Sequence, residues 1–122
     1  MKMRIVKKSE LKHEERKNYL RAIVSRVGIL NTDMVAGILH VIIPRGKKAN
    51  RHYHRSFKEI FIPLTKGFIE VNGKEFVVTA GDVIIVDEKE IHTAKAMQDV
   101  DFELFAIKLP EDEFDRTSVD KS

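Results

Sequence analysis

Apolar residues along this chain fall in short runs separated by turn-forming residues, roughly every 8 to 12 positions. The longest run, residues 33–43, is rich in branched side chains, is apolar at both odd and even positions, and ends at Pro44. A run of this kind predicts a strand that is covered on both faces. The middle of the chain keeps no helical period, so the pattern predicts an all-β barrel or sandwich.

Further strands are predicted wherever apolar and branched residues continue, at residues 58–64, 68–71, 76–79, 82–86, 91–96 and 102–108. Asn72-Gly73 lies between two of these runs and predicts a two-residue hairpin turn, because both residue types tolerate positive φ. Residues 19–25 are ambiguous, since Leu20, Ile23 and Val27 also fall at helical spacing. We favour a strand there, because an added strand would cover an open sheet edge.

Length and charge set the domain organisation. A chain of 122 residues has room for one domain but not for a second module such as a nucleic-acid reader. The net charge of +3 comes from a basic surplus in residues 1–26, which we interpret as a solvated surface rather than a nucleic-acid site. We therefore expect one domain over residues 1–110 and a polar, acidic, frayed tail over residues 111–122.

Composition limits the environment and the chemistry. The chain has no apolar run of membrane-spanning length, and its start lacks the apolar stretch of a secretory signal, so a cytoplasmic location is expected. The absence of cysteine excludes disulfides and thiolate ligands, so any metal site must use nitrogen and oxygen. Abundant Lys and Glu beside a single Gln indicate a thermophilic source.

A cluster of potential metal ligands is the main chemical signal. His52 and His54 are two residues apart, so in an extended strand both imidazoles point to the same side. Glu59 follows five residues later, and His92 lies on a distant predicted strand. Three imidazole nitrogens and one carboxylate oxygen suit Mn, Fe, Co, Ni, Cu or Zn better than Mg or Ca.

The glycines around these residues strengthen the signal. Gly46-x5-His52-x-His54-x4-Glu59-x7-Gly67, followed by Gly81-x5-Asp87-x-Lys89-x2-His92-x3-Ala96, resembles the two motifs of the cupin superfamily over residues 34–108. Gly67 comes one residue late, and Asp87, Lys89 and Ala96 replace Pro, Gly and Asn. The resemblance implies a single-domain cupin, a double-stranded β-helix or jelly-roll barrel, with His52, His54, Glu59 and His92 as metal ligands. It also implies a homodimer.

The late glycine requires an extra residue to be accommodated between Glu59 and Gly67. A β-bulge in the strand or a longer turn over residues 64–67 would each do so. We favour the turn, because Pro63 lacks a backbone donor and Thr65-Lys66-Gly67 has turn chemistry.

Alternation along the strands also predicts the lining of a cavity beside the ligands. We expect it to be small and mostly apolar, formed by His40, Phe61, Ala94 and Leu104, with Ala96 nearby. His13 is expected in solvent, and Arg51 and Tyr53 outside the cavity. No Arg or Lys is evident on the predicted lining, which disfavours anionic sugar nucleotides as substrates.

Function is the least determined property. The resemblance implies a metalloenzyme of dioxygenase or isomerase type that acts on a small organic substrate through one divalent transition metal. Fe or Mn would suit a dioxygenase, and Zn or Ni are alternatives. A non-catalytic small-molecule-binding or sensory module is the other interpretation, and no residue pattern separates the two. Neither a nucleic-acid partner nor a membrane partner is expected.

Overall fold

The computed structural model describes residues 3–112 and 114–119. In this part of the chain a 3-10 turn at Lys8–Glu10 precedes eleven strands. Their bounds are β1 Glu14–Arg16, β2 Tyr19–Gly28, β3 Val35–Ile43, β4 His52–Tyr53, β5 Lys58–Pro63, β6 Gly67–Val71, β7 Lys74–Val78, β8 Ile84–Val86, β9 His92–Lys95, β10 Phe102–Leu109 and β11 Thr117–Ser118. No helix within the described ranges is long and apolar enough to cross a membrane.

The strands form two antiparallel sheets. One has the order β1-β2-β3-β10-β5-β8, and the other has the order β11-β4-β9-β6-β7. Neighbours in each sheet are often distant in sequence, because β10 pairs with both β3 and β5, and β9 pairs with both β4 and β6. The predicted all-β, jelly-roll class is confirmed.

The ambiguous N-terminal segment is a strand. β2 pairs with β3 from Leu20 to Gly28, with a register shift between Ile23 and Ser25. The shift interrupts the alternation of faces at that point. β2 extends the sheet beyond β3 and so covers the edge that β3 would otherwise expose, as predicted.

The predicted hairpin is present between β6 and β7. Asn72 has φ 49° and Gly73 has φ 82°, and Val71 pairs with Lys74 across the turn. Positive φ at both central residues is the type I′ geometry that matches the twist of the flanking strands.

The extra residue before Gly67 lies in a turn, as predicted. β5 ends at Pro63, and the amides of Leu64 and Thr65 both donate to the carbonyl of Glu103, at 2.8 and 3.2 Å. Regular pairing therefore stops at Pro63 and resumes in β6.

The core between the two sheets receives side chains from both. Phe102 is fully buried, and its ring lies where a Cβ on Gly67 would be 2.4 Å away, so a larger residue at position 67 would displace the ring. Burial of each large apolar side chain contributes about 1.5–3 kcal/mol. The buried cluster consists of Leu39, Ile43, Phe61, Ile69, Val78, Val86, Ala96, Phe102, Leu104 and Ala106.

The acidic tail is paired rather than frayed where the structure describes it, so that expectation is wrong for residues 114–119, while residues 113 and 120–122 lie outside the described residues. Thr117 and Ser118 pair with Tyr53 and His52 of β4, and the amide of Val119 donates to the carbonyl of Arg51 at 2.9 Å. The segment thus adds an edge strand beside the predicted metal ligands.

Candidate metal centre

The four predicted ligands come from both sheets. His52 is on β4, His54 follows the end of that strand, and His92 is on β9, where it pairs directly with His52. Glu59 is on β5 of the opposite sheet. The fold therefore brings together residues that are up to forty positions apart in sequence.

The donor atoms of these four residues converge. One ligand atom from each lies within 4.8 Å of the ligand atoms of all the others. Glu59 Oε1 is 3.1 Å from His54 Nε2 and 3.1 Å from His92 Nε2. His54, Glu59 and His92 are buried, and His52 is half-buried. The group could hold one metal ion.

The second nitrogen of each imidazole is bound to a backbone carbonyl. The Nδ1 contacts are His52 with Asn50 O at 2.9 Å, His92 with Glu90 O at 2.9 Å, and His54 with Asp115 O at 2.5 Å. A carbonyl can only accept, so Nδ1 carries the proton in each ring. In the neutral imidazole Nε2 is then an unprotonated donor to a metal, the arrangement found where histidines bind ions.

This tautomer makes the centre of the cluster rich in acceptors. With neutral rings, the Nε2 lone pairs of His54 and His92 face the carboxylate of Glu59 at 3.1 Å, with no hydrogen between them. Buried acceptors in such contact require either protons on the rings or a shared cation. The donor set is therefore chemically suited to a cation.

The electrostatics favour the protonation states that metal binding needs. Burial would raise the pKa of Glu59, but hydrogen bonds from His54 and His92 when their Nε2 atoms carry protons, with the charges of His92 in that state and of Lys108, outweigh burial and lower that pKa. Burial, followed by the charges of His92 and Arg116, lowers the pKa of His52 to about 3. At neutral pH Glu59 is an anion and His52 is neutral, as metal ligands must be.

A cavity opens beside the cluster. Three of the four residues predicted to line it, Phe61, Ala94 and Leu104, do so. The cavity has a volume of about 70 Å³, which suits a small ligand. Ala96 is in the buried core instead. The remaining apolar lining residues are Leu39, Val41, Ile43, Ala49 and Ala106.

His40 does not line this cavity, so its predicted role needs correction. Its neighbours on β3, Leu39 and Val41, face the cavity, and alternation turns His40 to the outer face of the sheet. There its Nδ1 is 2.7 Å from His13 Nε2, and its Nε2 is 2.7 Å from Glu103 Oε1. His13, expected in solvent, is half-buried in this contact.

Three basic residues line the cavity, so the expectation that its lining carries no Arg or Lys is wrong. They are Arg21, Lys108 and Arg116. Lys108 shares its strand face with Leu104 and Ala106, so alternation along β10 could have revealed it. Arg116 lies in the tail expected to fray, and no sequence signal placed it here.

Arg51 and Tyr53 lie outside the cavity lining, as expected. Arg51 Nη2 donates to Glu70 Oε1 at 3.0 Å, and Tyr53 pairs with Thr117 of β11. Their outward position follows from alternation with His52 and His54.

Comparisons with known proteins place the chain in a structural context. A family model described as the cupin domain matches residues 39–108. A comparison with curated protein sequences finds no significant match.

Similar solved structures extend over most of the chain. A predicted oxalate decarboxylase from Thermotoga maritima is 23% identical, with 88% of this chain and 100% of that chain covered and a TM-score of 0.77. The polyketide cyclase RemF from Streptomyces resistomycificus is 14% identical, with 99% and 88% covered and a TM-score of 0.80. Streptomyces Pac13 with uridine, a nucleoside dehydratase, is 16% identical, with 98% and 92% covered and a TM-score of 0.73. At these identities the likeness shows the fold.

Proposed function

The chain belongs to the cupin family, and from that premise we propose that it is a metal-dependent enzyme acting on a small organic substrate. The reaction class is that of an oxidoreductase of dioxygenase type or of an isomerase. Its metal is a divalent transition ion, Fe or Mn for oxygen chemistry and Zn or Ni otherwise.

One observation carries this proposal. Three imidazoles converge on a buried carboxylate, and each ring has its Nδ1 bound to a backbone carbonyl, which leaves Nε2 available to an ion when the ring is neutral. With protons on Nε2, His54 and His92 would donate to Glu59, whereas in neutral rings the same atoms are acceptors that face the carboxylate. Acceptors opposite one another are stable when a cation lies between them.

The ligands would be His52 Nε2, His54 Nε2, His92 Nε2 and a carboxylate oxygen of Glu59. A divalent ion bound there would supply Lewis acidity to a substrate or water in the cavity. The apolar walls of the cavity limit the entry of bulk water and provide contact surface for the substrate. Tyr19 and Lys108 line the same cavity and can each hold or transfer a proton.

A non-catalytic binding or sensory role is the second candidate, and one observation favours it. Within the described lining, every carboxylate and imidazole belongs to the ligand group, which leaves Tyr19 and Lys108 as the groups for proton transfer. A lining without a carboxylate or imidazole outside the ligand group suits a binding module better than an enzyme that needs a general base.

Metal content and turnover separate the two candidates. Protein purified without chelator should contain about one equivalent of transition metal by elemental analysis. Its turnover over a panel of small organic substrates should be followed by oxygen consumption and by NMR of products. Glu59→Gln should lose both metal and turnover, whereas His40→Gln, a buried polar change outside the cavity, should keep both.

Each outcome has one interpretation. Turnover that disappears on chelation and returns with metal supports the enzyme. Ligand binding without turnover across the panel supports the module. Turnover that survives complete removal of metal overturns the metal-dependent proposal.

Two further predictions concern the molecule as a whole: the family resemblance implies a homodimer, and the apolar pattern of the chain predicts a cytoplasmic location. Homodimerisation is tested by light scattering coupled to size-exclusion chromatography, with a mass near twice the 14.1 kDa of the chain expected. The cytoplasmic location is tested by fractionation of the source cells.

A further inference from the structure

Lys108 places a positive charge in the cavity beside the metal centre. It lies on β10 opposite Glu59 of β5, and it faces the cavity with Leu104 and Ala106. Its ammonium nitrogen is 5.7 Å from the centroid of the Phe57 ring, which itself stacks on the His54 imidazole. The charge of Lys108 is therefore held on the side of the cavity that carries Glu59 and His54.

Arg116 brings a second positive charge from the C-terminal segment. Its Nη1 donates to the hydroxyl of Tyr19 at 2.8 Å, and its guanidinium carbon is 5.9 Å from the centroid of the Tyr19 ring. Both residues line the cavity. This contact fixes the guanidinium beside the cavity, where its charge contributes to the lowered pKa of His52.

These two cations differ from the third basic residue of the lining. Arg21 Nε forms an ion pair with Glu14 at 2.8 Å, so its charge is already matched. For Lys108 and Arg116, no carboxylate among residues 3–112 and 114–119 lies at ion-pair distance. Glu59, the one acid in the described lining, belongs to the ligand group.

The cavity thus combines unmatched positive charge with apolar walls. Val41, Ile43 and Leu104 form part of those walls, and the interior is small. A ligand that satisfies both features has one anionic end and a short nonpolar body. A planar carboxylate matches the guanidinium fork, and it carries less charge into an apolar cavity than a phosphate does.

We propose that the substrate of this cavity is a small organic carboxylate, bound through its carboxylate group by Lys108 and Arg116. This assignment of substrate class rests on the proposed function of the same site. It reverses the expectation that the cavity lacks cations. It also gives the C-terminal segment a direct role in ligand binding.

Butyrate and butyramide are suitable probes, because they share size and shape and differ in charge. Their binding is measured by NMR titration to protein loaded with Zn²⁺, after the metal stoichiometry has been determined separately. Wild type should bind butyrate at least tenfold more tightly than butyramide, and added salt should reduce that preference. Inorganic phosphate serves as the third probe.

Single substitutions test whether Arg116 and Lys108 bind the carboxylate of butyrate. Arg116→Gln and Lys108→Gln should each weaken butyrate binding about tenfold or more, with little effect on butyramide. Arg45→Gln removes the same charge from an exposed side chain outside the cavity and should leave butyrate binding within twofold. Tyr19→Phe removes only the hydroxyl that holds Arg116, and should weaken butyrate binding by about threefold. Thermal melts establish that each variant is folded.

The results separate this inference from the proposed function. Normal metal stoichiometry with equal binding of butyrate and butyramide, or equal effects of Arg116→Gln and Arg45→Gln, overturns the carboxylate assignment and leaves the metal centre standing. If wild type binds no metal, the metal-dependent function fails, and the same titrations on metal-free protein still decide the carboxylate assignment. Phosphate binding that exceeds butyrate binding and depends on the same two cations overturns the choice of carboxylate.

Discussion

The chain contains two clusters of histidine and glutamate, one inside the cavity and one on the outer face of the six-stranded sheet. In the cavity cluster, His52, His54 and His92 surround Glu59. In the outer cluster, His13, His40 and Glu103 form a line. Both clusters are hydrogen-bonded and both contain buried imidazoles, yet the cavity cluster alone satisfies the geometry of a metal site among the described residues.

The difference lies in where the ring nitrogens point. Each cavity histidine uses Nδ1 for a backbone carbonyl, so Nε2 is directed at the shared centre. His40 uses both nitrogens for side chains, with His13 on one edge and Glu103 on the other. Glu103 is in turn 2.6 Å from the ammonium of Lys8. The outer cluster is therefore a linear chain of hydrogen bonds that attaches the N-terminal segment to the sheet.

The comparison shows that histidine content and burial do not by themselves define a site. Backbone carbonyls hold one nitrogen of each cavity ring and direct the other nitrogen at a shared centre, whereas the two side-chain partners of His40 lie on opposite edges of its ring and define no such centre.

The largest effect concerns metal and stability. Metal at a hundredfold excess over its dissociation constant should raise the free energy of unfolding of wild type by about 2.7 kcal/mol, because the ion binds only the folded chain. His54→Ala should lose most of this increment. His40→Ala should retain it, since His40 belongs to the outer cluster. Thermal melts with metal and with chelator measure the increment, and a wild-type midpoint indifferent to metal from about pH 5 to 8 would contradict the prediction.

Removal of the outer imidazole should instead lower stability regardless of metal. His40→Ala deletes a buried side chain and leaves Glu103 and His13 without their shared partner, so we expect a loss of about 2 kcal/mol. Urea unfolding measures it. A double-mutant cycle with Glu103→Gln should give a coupling of about 1 kcal/mol, because the two residues share a hydrogen bond. Additive effects of the two substitutions would show that the contact at 2.7 Å contributes little.

The cavity cluster and the outer cluster should also differ in how strongly they make the free energy of unfolding depend on pH. His52 has a pKa of about 3 in the folded protein, against 6.5 ordinarily. Below pH 6.5 the unfolded chain binds a proton that the folded protein does not, so stability is fully present above pH 6.5 and falls as pH falls towards 3. For this residue alone the slope approaches about 1.4 kcal/mol per pH unit.

The measurement is urea unfolding of metal-free protein between about pH 5.5 and 6.5, where Glu59, with an ordinary pKa of 4.5, is mostly ionised in both states. His52→Gln should flatten the slope. His40→Gln should flatten it less, because burial lowers the pKa of His40 while Glu103 opposes that change. Equal slopes for wild type and His52→Gln would contradict the assigned protonation state.

Much of the fold follows from short-range patterns. Alternation and branched residues predict the strands, and Asn72-Gly73 predicts the hairpin, because the backbone preferences of these residues act within a few positions. Lys89 shows that a residue other than glycine can adopt the positive φ that a turn requires. It stands where the family resemblance has glycine, yet it adopts φ 67° and its amide donates to the carbonyl of His54 at 2.6 Å.

The spacing of the four candidate ligands also predicts that they lie together, because it places them at matching positions of a known motif. The tertiary structure decided what surrounds them. Whether His40 faced the cavity depended on the strand register and on the segment packed outside it. The carbonyl of Asp115 and the charge of Arg116 reach the site because β11 pairs with β4, a contact more than sixty residues distant in sequence. Such contacts depend on how strands stack and pair, and no local preference of the residues involved encodes them.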